Sequence, residues 1–152
     1  MKIISKSENE TLKLGKLLAK YLNAGDIVCL SGNLGSGKTI LAKGIALGLG
    51  VDPNRVISPT FVLIHQHHQG RVAFNHFDLY RLKSLKEIAD LGFEEYFYGD
   101  AITVVEWAER LKNLLPKNCL RVRLAVLTKN KRCIDFSSLN KNYQGIIKKI
   151  KL

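Results

Sequence analysis

The sequence predicts an α/β fold, a mixed β-sheet with antiparallel hairpins flanked by helices, and three observations carry that prediction. A glycine-rich stretch, Gly32 to Thr39, stands between a short apolar run and a segment with helical periodicity. Two β-rich runs meet at Gln69-Gly70, the signature of an antiparallel pair. Two more flank the polar tip "TKNK" that begins at Thr128.

Each element follows from its residues. "SENE", Ser7 to Glu10, is a capping box, and Leu14, Leu17, Leu18, Tyr21 and Leu22 follow at helical spacing, which predicts an amphipathic helix ending near Gly25. "DIVCL", Asp26 to Leu30, reads as a buried strand that runs straight into the glycines. Beyond them, "TILAKGIALGL" places Leu41, Ile45, Gly48 and Leu49 on one helical face. "FVLIHQHH" and "RVAFNHFDLY" predict the first antiparallel pair. "SLKE", from Ser84, is a second capping box whose helix turns Leu85, Ile88 and Leu91 towards the core. "AITVV", Ala101 to Val105, is another buried strand, ending at Glu106-Trp107. Past Pro116, "CLRVRLAVL" and "RCIDFSSL" predict a final hairpin, followed by a short basic helix in "YQGIIKKIKL". No repeat or low-complexity linker interrupts this order, so residues 1–152 read as one domain.

Composition narrows the class. Hydrophobic residues make up 46% of the chain and charged residues 24%, as in ordinary globular proteins. No run approaches the roughly 18 apolar residues of a membrane helix, and the start, "MKIISKSENE", lacks a signal-peptide core. A cytoplasmic protein without a membrane partner is the expectation. Cys29, Cys119 and Cys133 show no CxxC spacing and read as core or incidental thiols. The net charge of +11 is unevenly placed: residues 1–109 hold 12 Lys and Arg against 12 acids, whereas residues 110–152 hold 12 against Asp135 alone. That predicts a basic face near the C-terminus, suited to nucleic acid or an acidic partner; a merely solvated surface is the alternative.

Gly32-Asn33-Leu34-Gly35-Ser36-Gly37-Lys38-Thr39 matches GxxxxGK(S/T), the phosphate-binding Walker A pattern. Its glycines let backbone N–H groups turn inward around an anion, and the helix that follows adds the positive end of its dipole. Lys38 is expected to reach the β- and γ-phosphates and Thr39 to bind Mg²⁺. A second acid is needed to hold the metal or orient water. Glu106, after the strand "ITVV", and Asp78, closing "VAFNHFD", both qualify. His65 and His67 share a strand face but have no third ligand at a recognisable spacing, so they read as surface residues rather than a zinc site. His76, two residues before Asp78, is expected to orient that strand end.

The motifs "GNLGSGKT", "SPTF", "HFDLYRL", "LGFEEYF" and "VVEWAERL" occur in this order, and with them the chain closely resembles the TsaE (YjeE) family. The resemblance implies a P-loop NTPase fold and the ATPase subunit of the machinery that makes threonylcarbamoyladenosine (t6A) in tRNA. It further implies ATP and Mg²⁺ as cofactors, low intrinsic activity, and a complex with the transferase subunit TsaD and its partner TsaB. On these positions, ATP would contact Leu34, Gly35, Ser36, Gly37, Lys38, Thr39 and Ile40. Thr39 and Glu106 would hold the metal, Asp78 would position metal or water, and Thr60 in "SPTF" would act near the γ-phosphate. Trp107 would pack by the nucleotide, with Thr11 and Arg132 at its nucleoside end. Asn33 stands where members usually carry an acid, and Ser36 and Ile40 where Ala and Thr are common. No arginine finger is obvious; Arg81 is nearest, and a partner could supply one.

Two rivals remain. A small-molecule P-loop kinase would want an arginine-rich lid, and a GTPase an NKxD element, neither of which is present. An ATP-dependent RNA-binding or scaffold protein is kept open by the basic segment 110–152, which would also serve direct tRNA contact.

Overall fold

The computed structural model describes residues 1–57 and 63–150. Among them, seven strands form one sheet: β1 (Lys2–Ser5), β2 (Ile27–Ser31), β3 (Ile64–His67), β4 (Phe74–Asp78), β5 (Ile102–Glu106), β6 (Leu120–Val126) and β7 (Arg132–Ser137). Their order is β1-β7-β6-β2-β5-β4-β3. The central strands β6, β2, β5 and β4 run parallel to one another, while β3 pairs antiparallel with β4, and β7 antiparallel with β6 and β1. The sheet is thus mixed and α/β, as expected, with both predicted hairpins in place.

Alternation along the strands sorts side chains to two faces. Val28 and Leu30 of β2, Phe74 of β4, and Ile102 and Val104 of β5 join a core under helices α1 (Glu8–Ala19), α2 (Lys38–Leu49) and α5 (Lys141–Lys149). Ile27, Cys29, Phe77 and Val105 face the other way, under short helices α3 (Leu85–Ala89) and α4 (Phe93–Phe97) and the 3₁₀ segment Ala108–Leu114. This second layer covers only half the sheet. No residue of β1, β6 or β7 joins it, and Arg121, Arg123 and Ala125 of β6 and Ile4 of β1 stay exposed on that side.

Both predicted capping boxes form. Ser7 Oγ accepts from Glu10 N (3.1 Å) and Ser84 Oγ from Glu87 N (3.2 Å), while each glutamate reaches back to the backbone N–H of Lys6 or Lys83 (2.7 Å each). α1 stops at Ala19 rather than near Gly25, because residues 20–22 close into tight turns that still bury Leu22. Arg71, beyond the β3–β4 turn, caps that end: its Nη2 donates to the carbonyls of Ala19 and Leu22, at 2.6 Å each. Arg71→Ala is expected to lower stability by about 1–2 kcal/mol, since two helix-end carbonyls lose a charged donor; a urea midpoint reads it. β1, α4 and the 3₁₀ segment were not foreseen. β1 is an edge strand of four residues, held by its pairing with β7 rather than by any apolar alternation of its own. The three cysteines are free, Cys29 and Cys119 buried.

Candidate functional site

The glycine stretch is the loop between β2 and α2. Two of its glycines are needed for their missing side chains. At Gly37, which caps α2, φ is 99°, a left-handed conformation that a Cβ would strain. At Gly32, φ is 138° and a Cβ would lie 2.2 Å from the carbonyl oxygen of Leu124 on β6, so only glycine lets the loop pass under that strand. A glycine seam between helices then sets the loop's neighbourhood. Gly44 and Gly48 of α2 face Gly15 and Ala19 of α1 so closely that a Cβ on Gly44 would meet Leu12 O at 2.2 Å. The N-termini of both helices consequently border one cleft, of about 230 Å³.

This cleft brings together every described residue expected to contact nucleotide, metal or water. Thr11, Leu34, Gly35, Ser36, Gly37, Lys38, Thr39, Ile40, Asp78, Glu106, Trp107 and Arg132 all line it. Thr60 lies outside the described residues. Arg81 is exposed past the end of β4 and does not line the cleft, so Arg132 is the guanidinium found there. Glu8 and Tyr80 also line it and were missed: Glu8 reads from the sequence as part of a cap and Tyr80 as the end of a β-run.

At the loop mouth, Lys38 is only 4% exposed. Its Nζ donates to the carbonyls of Gly32 (2.7 Å) and Asn33 (3.0 Å) and sits 3.9 Å from the centre of the Trp107 ring. Burial pulls the ammonium below its ordinary pKa, against the opposing pull of Glu106, Glu109 and Asp78. Ser36 Oγ is buried with no hydrogen-bond partner among the described residues, an orphaned donor in the loop.

The two acids end neighbouring strands in matched register, Asp78 opposite Glu106. Glu106 Oε2 accepts from the Thr39 hydroxyl at 2.8 Å, and Oε1 lies 2.8 Å from His76 Nε2. Asp78 Oδ1 accepts from Tyr80 N at 2.9 Å, tying that acid to the turn after β4. His76 therefore holds the other strand's acid, where the sequence suggested only that it orients its own strand end. Trp107 has a left-handed backbone (φ 59°, ψ 38°), and its ring lies over Lys38 and against Tyr80, centroids 4.9 Å apart. Such a conformation is uncommon for an aromatic residue and marks a position held by its surroundings.

At the other side, Arg132 Nη1 donates to Lys129 O (2.8 Å). The Thr11 hydroxyl is committed inward, to Ser5 Oγ (2.8 Å) and Ser7 O (3.2 Å), leaving its methyl towards Gly37. His65 and His67 lie on edge strand β3, ring centroids 6.3 Å apart, and both are half-buried rather than at the surface as expected. No helix among the described residues is long and apolar enough to cross a membrane. The basic segment does not form one face. Arg121 and Arg123 lie on the open side of the sheet, Lys129 and Lys131 at the hairpin tip, and Lys148 and Lys149 on α5, across the sheet.

Comparison with known proteins adds the lineage. Residues 5–134 match the family described as "Threonylcarbamoyl adenosine biosynthesis protein TsaE". The tRNA threonylcarbamoyladenosine biosynthesis protein TsaE of Treponema pallidum is 39% identical over 132 residues, covering 87% of this chain and 96% of that protein. The protein of the same name from Bacillus subtilis is 35% identical over 142 residues, covering 93% of this chain and 87% of that protein. The crystal structure of Bacillus subtilis YdiB superposes with a TM-score of 0.82 at 29% identity, covering 99% of this chain and 93% of that one. Because the family match runs from the last residue of β1 into β7 and takes in every residue that lines the cleft, the chain belongs to the TsaE family.

Proposed function

We propose that this chain, acting as a single P-loop ATPase domain in the cytoplasm, is the nucleotide-hydrolysing subunit required for t6A formation in tRNA, working with a TsaD-type transferase and a TsaB-type partner. The observation that carries the reading is the junction of a GxxxxGKT loop with a hydroxyl–carboxylate pair, half-buried Thr39 and buried Glu106, at 2.8 Å. The residues present fit ATP with Mg²⁺. Ser36 offers an orphaned hydroxyl, Lys38 an ammonium at the loop mouth, and Thr39 with Glu106 the hard oxygen donors that magnesium prefers. When bound, the ion would offset charge on the phosphoryl oxygens.

The chain's own residues do the rest. Loop amides at the head of α2 and Lys38 take the phosphates, and Lys38 exchanges the carbonyls of Gly32 and Asn33 for phosphate oxygens. Glu106 or Asp78 orients the attacking water. Trp107 shields Lys38 from solvent on one side, which strengthens its charge interactions. With Arg132 engaged on Lys129 O, the isolated protein is slow, and partners complete the site. ATP turnover measured alone and with TsaD- and TsaB-type proteins tests this: strong stimulation is expected, whereas partner-independent phosphoryl transfer to a small alcohol would replace the reading with a kinase.

Direct tRNA contact is a second part of the proposal, favoured by the uncovered sheet face. Arg121 and Arg123 stand two residues apart on β6, about 7 Å, with Lys2 in line across β7. Asp135 is the acid between Arg123 and Lys2. A double Arg121→Glu, Arg123→Glu variant is expected to weaken tRNA binding and lower the salt-dependence slope by about 2, with ATP turnover of the isolated protein unchanged. Filter binding across salt concentrations checks it.

A further inference from the structure

Glu106 has two oxygens and two fixed partners, His76 buried with it and Thr39 half-buried at the cleft. Thr39 takes Oε2 and His76 takes Oε1, each at 2.8 Å. The terminal torsion of a glutamate is broad and nearly two-fold, so nothing intrinsic to the side chain decides which oxygen faces the loop. His76 is fully buried, and the register of β4 on β5, His76 opposite Val104 and Asp78 opposite Glu106, puts it diagonally beneath Glu106 on the same sheet face. Its ring stacks on Phe74 at 6.3 Å and 14°, and its Nδ1 has no partner among the described residues. Among the described residues, the one polar contact of this ring is therefore to Glu106.

We propose that His76 is a positioning residue for the metal-binding carboxylate: it pins Oε1 of Glu106 so that Oε2 faces Thr39 and stays there when the Thr39 hydroxyl turns to another partner. This rests on reading the cleft as an ATP and Mg²⁺ site. A histidine present only for packing would be replaced by other side chains with no selective effect on metal dependence. A histidine that pins the carboxylate affects metal-dependent binding first, because outer partners of metal ligands typically contribute 10–100-fold to metal affinity.

The test is ATP affinity by calorimetry, with Mg²⁺ and with EDTA, for wild type, His76→Leu, His76→Gln and His76→Asn, alongside thermal melting. A glutamine amide can reach where Nε2 stands, whereas an asparagine amide stops near Nδ1. His76→Leu and His76→Asn are expected to lose roughly tenfold of the Mg²⁺-promoted gain in affinity while binding in EDTA stays within about twofold, and His76→Gln to recover most of the gain. Equal losses with and without Mg²⁺, or full Mg²⁺ dependence in His76→Asn, would overturn the proposal. Should His76→Leu not fold, the Gln and Asn pair decides alone. A wild type whose ATP affinity ignores Mg²⁺ would instead sink the reading of the cleft itself.

Discussion

Gly44→Ala is expected to destabilise the protein by about 3 kcal/mol, lowering the melting temperature by roughly 6–12 °C. In an isolated helix the same change would be favourable by up to about 1 kcal/mol, because glycine is a poor helix former. Here the sign reverses. A Cβ at Gly44 would lie 2.2 Å from Leu12 O and 3.0 Å from Gly15 Cα, and one at Gly15 would lie 2.4 Å from Leu41 O. These are backbone atoms, so the two helices would have to separate along their seam. Gly145 in α5 supplies the contrast within the same molecule: no described residue lies within 4 Å of a Cβ there, and Gly145→Ala is expected to stabilise by about 0.5–1 kcal/mol. Opposite shifts of the two variants in thermal melts are the check. Because α1 and α2 also border the cleft, Gly44→Ala should weaken ATP binding as well as lower stability.

Glu106→Gln is expected to cut partner-stimulated ATP turnover by about 100-fold or more, with the protein still folded. The substitution keeps the side chain's shape and a possible contact to Thr39 but removes the charge that the proposed metal and water both need. Asp78→Asn should cost less. One of its oxygens is already engaged by the Tyr80 N–H, and a neutral amide oxygen can accept that bond equally well. Single-turnover hydrolysis by both variants, beside their melting temperatures, separates loss of chemistry from loss of structure. A larger defect in Asp78→Asn would transfer the water-orienting role to that acid.

How much of this could be read from the chain depended on how local each cause is. The glycine loop between strand and helix, both capping boxes and both hairpins were legible, because each is set by residues within a few positions of one another: three glycines before Lys38, Ser before Glu at a spacing of three, polar turns between β-rich runs. Strand position marked Glu106, at the end of "ITVV", as a candidate acid; its hydrogen bond with Thr39 was not legible there. The early stop of α1 was not, since Tyr21 and Leu22 keep the helical spacing while Arg71, half the chain away from either terminus, caps the carbonyls that end it. Edge strand β1 gave no signal because its partner, β7, lies more than a hundred residues on.

The same division holds for the site. Taken alone, the sequence determined the chemical inventory: a glycine loop with a lysine at the head of a helix, two strand-end acids, and an excess of positive charge in the last third. Only the tertiary structure decided how that inventory is used. It gave Glu106 both Thr39 and His76, laid Trp107 over Lys38, brought Glu8 and Arg132 to one cleft, and divided the basic residues between the open sheet face, the hairpin tip and α5. The reason is physical. Propensities, caps and turns act over a few residues, whereas strand register and the closeness of α1 to α2 are set by packing across the whole sheet, where a missing Cβ on Gly44 matters as much as any side chain that is present.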